Sequence, residues 1–144
     1  MILLGKIQKA DLQTSTPTLW FNKEYENYSV DPQWSKSLQN HLDGLEIKLF
    51  MGTWCEDSRK VIPHFFSLLQ ALDFDQKQLE IYAMSEEKTT PENSEKGLEI
   101  YNVPTIIFFK NGYEINRFVE FPVNSLQSDI SKIIKGEPYT HSYQ

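Results

Sequence analysis

The apolar positions of this chain change period several times, and each change marks an element. Asp31-Pro32 supplies an N-cap followed by proline at the first helical position. Trp34, Leu38 and Leu42 then recur every four residues until Gly44, which predicts a helix over that stretch. Leu45 to Met51 alternates and then becomes wholly apolar, the pattern of a strand entering a sheet covered on both faces. From Ser58 onward Val61, Ile62, Phe65, Phe66, Leu68, Leu69 and Leu72 lie at mixed three- and four-residue steps, the broad stripe of a buried helix, with Pro63 inside it as a kink. Leu79 to Met84 reads as a second strand. Two further strands, Thr105 to Phe109 and Tyr113 to Val119, flank Asn111-Gly112, a strong hairpin signal. A last helix carries Leu126, Ile130, Ile133 and Ile134 and ends at Gly136-Glu137-Pro138.

The remaining segments are less periodic. Residues 1 to 18 end in Thr14-Ser15-Thr16-Pro17-Thr18 and read as loop. Leu19, Trp20, Phe21, Tyr25 and Tyr28 have partly helical spacing, expected of a short helix packed on the main domain. The acidic stretch 86–99 reads as a surface loop with one helical turn, and the tail from Tyr139 to Gln144 as loosely held. Residues 1–30 are thus an extension packed on a domain spanning 31–136, followed by a tail over 137–144.

Composition narrows the function. At 144 residues with 40% hydrophobic residues the chain has the size of one globular domain. A net charge of −6, with no clustered Lys and Arg, argues against nucleic acid or an anionic membrane as partner. Three apolar residues after Met1 fall far short of a signal-peptide core, and no segment has the length to span a bilayer. The single cysteine demands no oxidising compartment, so a reducing cytoplasm is expected. Three scattered histidines and one cysteine show no metal-ligand spacing, and no phosphate loop or hydrolase serine elbow is present. Neither a metal nor a cofactor is expected.

Chemistry concentrates at Cys55, in Gly52-Thr53-Trp54-Cys55-Glu56-Asp57-Ser58-Arg59, between a strand and a helix. A cysteine at a helix start meets unpaired N–H groups and the positive end of the macrodipole, which favour its nucleophilic thiolate by roughly 0.3–1 kcal/mol. Glu56 and Asp57 on the same turn oppose this, and Arg59 offsets part of the opposition. Asp57 reads either as a first-turn capping carboxylate or as a proton donor and acceptor for chemistry at sulfur. Glu56 with Lys60 makes an i, i+4 pair, and His64, two helical turns away, is too remote to serve as a local base.

The order helix, strand, cysteine turn, kinked helix, strand, loop, Val103-Pro104-Thr105, hairpin and helix resembles the thioredoxin superfamily. Trp54-Cys55-x-x-Ser58 is similar to that family's Trp-Cys-x-x-Cys, Pro63 falls where its members kink this helix, Val103-Pro104-Thr105 looks like its cis-proline loop, and Phe109-Lys110-Asn111-Gly112 like its hairpin turn. The longer string Gly-Thr-Trp-Cys-x-Asp-Ser-Arg resembles a poorly characterised bacterial subgroup. The resemblance covers about residues 44–135, with the 31–43 helix preceding them. It implies an α/β thioredoxin-like fold, a central mixed sheet flanked by helices with an N-terminal helical and loop extension.

For function, it implies a groove formed by Trp54, Cys55, Val103, Pro104 and Thr105 that holds an extended peptide beside the sulfur. Ser58 stands where the family's resolving cysteine would be, and Leu49 where dithiol members carry a buried carboxylate. The standard dithiol cycle is therefore excluded. Cys55 would form a mixed disulfide with a protein or peptide, Ser58 would donate a hydrogen bond to the thiolate, and an outside low-molecular-weight thiol would resolve the adduct. Glu120 falls where family members place a glycine beside the cis-proline loop. It reads as a solvated strand end, or as a groove-rim carboxylate that disfavours acidic partners. The alternative to exchange chemistry is a non-catalytic module that binds a protein or peptide in the same groove.

Overall fold

The protein, seen in a computed structural model that describes residues 1–143, is built on a five-stranded sheet. Its strands are β1 (Gly5–Ile7), β2 (Leu45–Met51), β3 (Leu79–Ala83), β4 (Thr105–Lys110) and β5 (Tyr113–Val119), in the spatial order β1-β3-β2-β4-β5. β2 runs parallel to β3 and antiparallel to β4, and β1 and β5 close the two edges in antiparallel pairing. This is the mixed sheet of a thioredoxin-like α/β fold.

The helices are α1 (Lys9–Thr14), α2 (Phe21–Asn27), α3 (Pro32–Leu38), α4 (Glu56–Ala71) and α5 (Leu126–Lys135). Strand periodicity divides the interior in two. Ile47, Leu49 and Met51 point from β2 to one face, where Phe65, Phe66 and Leu69 of α4 and Ile130, Ile133 and Ile134 of α5 bury them. Phe50, between them, points to the other face and packs with Tyr82, Met84, Ile100, Val103 and Ile107. The second cluster is roofed by the 85–104 segment, which contains turns but no helix. That explains why β2 becomes wholly apolar only at its carboxyl end: both faces are covered there, next to Cys55.

Local signals account for the element ends. The Asp31 side chain accepts from Gln33 N–H at 3.0 Å and starts α3. α3 stops at Leu38, and residues 39–41 tighten into a 3-10 turn, so the helix is shorter than the apolar spacing to Leu42 implies. Asn111 and Gly112 adopt φ of 51° and 87°, the left-handed pair that a two-residue hairpin needs. Gly136 terminates α5 at φ 71°. Pro63 lies inside α4, where it has no N–H for the helical ladder.

Two segments differ from their sequence-based reading. Residues 1–18, read as loop, contain β1 and α1. Three residues are too few to display a period, and β1 is created by its partner, with Gly5, Lys6 and Ile7 paired to Ala83, Tyr82 and Ile81. The extension therefore supplies an edge of the domain's own sheet. The tail, read as loose, is tethered. Tyr139 donates to the buried Asp129 carboxylate at 2.9 Å, its carbonyl accepts from Asn116 at 2.9 Å, and the Ser142 hydroxyl donates to Val119 O at 2.6 Å. Asp129 is itself fixed by Val123 and Asn124 N–H groups at 2.7 and 3.1 Å. Gln144 lies outside the described residues. Among those residues no helix is long and apolar enough to cross a membrane.

Candidate active site

Cys55 is the N-cap of α4, in extended conformation, immediately after the carboxyl end of β2. Its half-buried Sγ is 3.4 Å from the Val103 carbonyl oxygen, to which the thiol donates. The next bond, Val103–Pro104, is cis. Thr105, buried, donates from its hydroxyl to Asn102 O at 2.6 Å and so fastens the other side of this loop. Trp54, Cys55, Val103, Pro104 and Thr105 are thereby gathered at one end of the sheet.

Trp54 is held by a neighbour that sequence reasoning passed over. Its indole N–H donates to Met84 O at 2.8 Å, which spans from the cysteine turn to the end of β3. The ring lies so close over Gly52 that a Cβ there would be 2.5 Å from indole carbon. The glycine at the strand's end is the signal for this packing. Arg59 ties back to the same turn, its Nε donating to Thr53 O at 2.9 Å.

Ser58 sits inside the fold on the first turn of α4. It is fully buried, and its Oγ accepts from Gly52 N–H at 3.1 Å. On the first turn of α4, the hydroxyl oxygen braces the β2–α4 junction, and the Cys55 thiol donates to Val103 O. Glu56 and Lys60 make the expected i, i+4 pair, at 3.5 Å and largely solvated, which is energetically small.

Glu120 departs furthest from its reading as a solvated strand end. Its N–H donates to Pro104 O at 2.7 Å, its φ is 68°, and its carboxylate accepts from the Tyr143 hydroxyl. Burial, then the neighbouring Glu120, push the Asp57 carboxyl above the usual aspartate range, with Lys60 opposing. Tyr143 is likewise raised, first by its bond to Glu120. Tyr143 sits in an aperiodic tail, and no local pattern marks it.

Behind the proline loop, a cleft of about 390 Å³ is lined by Tyr101, Asn102, Thr105, Arg117, His141 and Tyr143. The Arg117 guanidinium is fully engaged, with Glu114 at 2.8 Å and with the Leu98 and Glu99 carbonyls at 2.9 and 3.2 Å. Burial, then Arg117, hold His141 below its ordinary value, and its Nδ1 accepts from Tyr143 N–H at 3.2 Å.

Comparison with known proteins points the same way. A family model described as Thioredoxin matches residues 24–132. A thioredoxin-like protein of Acanthamoeba polyphaga mimivirus is 28% identical over 96 residues, 67% of each chain. The crystal structure of a Pseudomonas aeruginosa protein of unknown function superimposes with a TM-score of 0.61 over 92% of this chain and 83% of that one, at 15% identity. Fasciola hepatica thioredoxin covers 72% of this chain and 89% of its own, at 18% identity and a TM-score of 0.47.

Proposed function

Because this chain belongs to the thioredoxin family, we propose that it carries out thiol-disulfide exchange with a single cysteine, through a mixed disulfide on Cys55. The observation that carries this reading is the placement of Sγ: at a helix start, half-buried, and 3.4 Å from the carbonyl that precedes cis Pro104. An extended peptide disulfide laid along Val103 would bring its sulfur to Cys55. Ser58 cannot displace the partner, and its hydroxyl is engaged by Gly52, so the adduct is resolved by an outside thiol. Leu49, buried at the position where dithiol members carry a carboxylate, agrees with a protein that has no resolving cysteine to deprotonate. A reducing compartment such as a bacterial cytoplasm supplies the low-molecular-weight thiol this cycle needs. Incubation with oxidised glutathione at neutral pH should yield a Cys55 adduct by intact-mass analysis. Absence of the adduct would overturn the reading.

The second reading is a binding module, in which the same groove holds a protein or peptide and Cys55 is incidental. Cys55→Ser separates the two: a binding module keeps its partner in a pull-down, and an exchange protein loses the covalent one.

A further inference from the structure

The amino-terminal segment reaches the cysteine turn directly. Because β1 runs antiparallel to β3, with Gly5 opposite Ala83 and Ile7 opposite Ile81, the residues before β1 emerge at the carboxyl ends of β3 and β2. The 52–55 turn leaves the sheet at that same end. There the Leu3 N–H donates to the Thr53 hydroxyl oxygen at 3.3 Å, across fifty positions of sequence. Leu3 is half-buried and packs against the main core, and Thr53 is only 1% exposed. Valine, of nearly the same shape, would fill this place but leave the Leu3 N–H without its partner.

Thr53 stands at the centre of the turn that aims the sulfur. The Cys55 N–H donates to Gly52 O at 3.0 Å, which closes a turn with Thr53 and Trp54 as its two central residues. The backbone of these two residues sets the direction in which Cys55 leaves, and each is held from outside the turn. Arg59 Nε donates to Thr53 O, but Arg59 belongs to α4, the helix that Cys55 itself caps, so this bond does not fix the turn against the sheet. The Leu3 bond does, because residues 5–7 are paired into that sheet, and the Trp54 bond to Met84 O reinforces it at the end of β3. The 3.4 Å approach of the sulfur to Val103 O depends on this placement, since Val103 belongs to the loop that enters β4.

We propose that Thr53 is a positioning residue for exchange at Cys55: its buried hydroxyl, held by the Leu3 N–H, locks the cysteine turn to the amino-terminal segment and keeps the sulfur in line with a peptide laid along Val103. This rests on the exchange reading above. Thr53 acts through the turn and takes no part in bond making or breaking. A displacement of about 1 Å at a reacting centre costs up to about a hundredfold in rate. An extended peptide is the substrate that feels it, because the proline loop fixes its path, whereas a small disulfide can meet the sulfur from any open side. The amino-terminal segment thereby becomes part of the site.

The test compares two disulfides that release the same thiol. One is a short peptide whose central cysteine is in mixed disulfide with 2-mercaptoethanol, and the other is bis(2-hydroxyethyl) disulfide. In each, the Cys55 thiolate attacks one sulfur, the S–S bond breaks, and 2-mercaptoethanol leaves as its thiolate while the remaining half stays on Cys55. The rate of forming the peptide adduct, divided by that of the small adduct, is followed by intact-mass analysis in the wild type, Thr53→Val and Thr53→Ser. The ratio should fall at least about fivefold in Thr53→Val and hold its wild-type value in Thr53→Ser, which keeps the hydroxyl. A general loss of stability moves both rates together and leaves the ratio alone. An unchanged ratio in Thr53→Val, or an equal fall in Thr53→Ser, overturns this inference and leaves the exchange reading standing. Failure of the wild type to react with either disulfide overturns both. Should Thr53→Val not fold, removal of residues 1–3, which leaves β1 whole, takes its place: a severalfold fall in the ratio supports the proposal, and no fall overturns it.

Discussion

The backbone N–H of Glu120 donates to the carbonyl oxygen of Pro104 across 2.7 Å, fixing the end of β5 against the loop that receives the Cys55 thiol. Glu120→Gly keeps this bond and removes the left-handed penalty of a φ of 68°. Glycine elsewhere in an ordered element costs roughly 0.5–1 kcal/mol relative to alanine. Here the variant should be at least as stable as the wild type in urea or guanidinium unfolding. A loss of stability would show that the carboxylate's contacts outweigh the strain.

Asp57 titrates above its ordinary range in the folded protein because burial and Glu120 disfavour its charge. A raised carboxyl binds its proton more tightly folded than unfolded. Its contribution to stability is therefore complete below the ordinary aspartate value of 3.8 and is lost as pH rises through the raised value. Asp57→Asn does not titrate. The melting temperature of this variant relative to the wild type should rise from acid to neutral pH, and a constant difference would contradict the assignment.

Gly52 leaves room for the Trp54 indole. Gly52→Ala would place a Cβ 2.5 Å from that ring, so the ring must move and its bond to Met84 O must lengthen or break. Overpacking of this kind costs about 1–3 kcal/mol. Thermal unfolding should report the loss, and a shift in tryptophan emission should accompany it.

Ser58→Cys would place a second thiol one helical turn from Cys55. The reduced variant loses the acceptor for Gly52 N–H, at a cost of about 1 kcal/mol. Thiol titration should count two groups in the reduced form and none after mild oxidation. Turnover of a disulfide substrate should remain slow, because Leu49 stands at the position where dithiol members carry their buried acid.

What could be read from the residues was whatever rests on short spans. The hairpin at Asn111-Gly112 was legible because both residues must take positive φ, and few residue pairs do so readily. Strand β2 and helix α4 were legible because each is long enough to show its period. The influence of Glu120 on Asp57 was hidden, since it links the first turn of α4 to a strand end sixty-three positions away. Ser58 illustrates a different limit: its residue type allows donation and acceptance alike, and its acceptance from Gly52 N–H depends on how β2 and α4 meet. Tyr143 could be assigned only after the tail was seen to run back along β5 through Tyr139 and Ser142.

Strand β1 has a consequence for how these molecules meet one another. Without it, β3 would present an unpaired edge from Leu79 to Ala83, an apolar run suited to recruiting a strand from a second chain. Three residues are enough to occupy the edge positions of Ile81, Tyr82 and Ala83, and Lys6 places a charge there, 3.9 Å from Glu80. The three residues of β1 thus cover the carboxyl-terminal part of this edge, at the same end of β3 where Met84 O receives the Trp54 indole N–H of the cysteine turn.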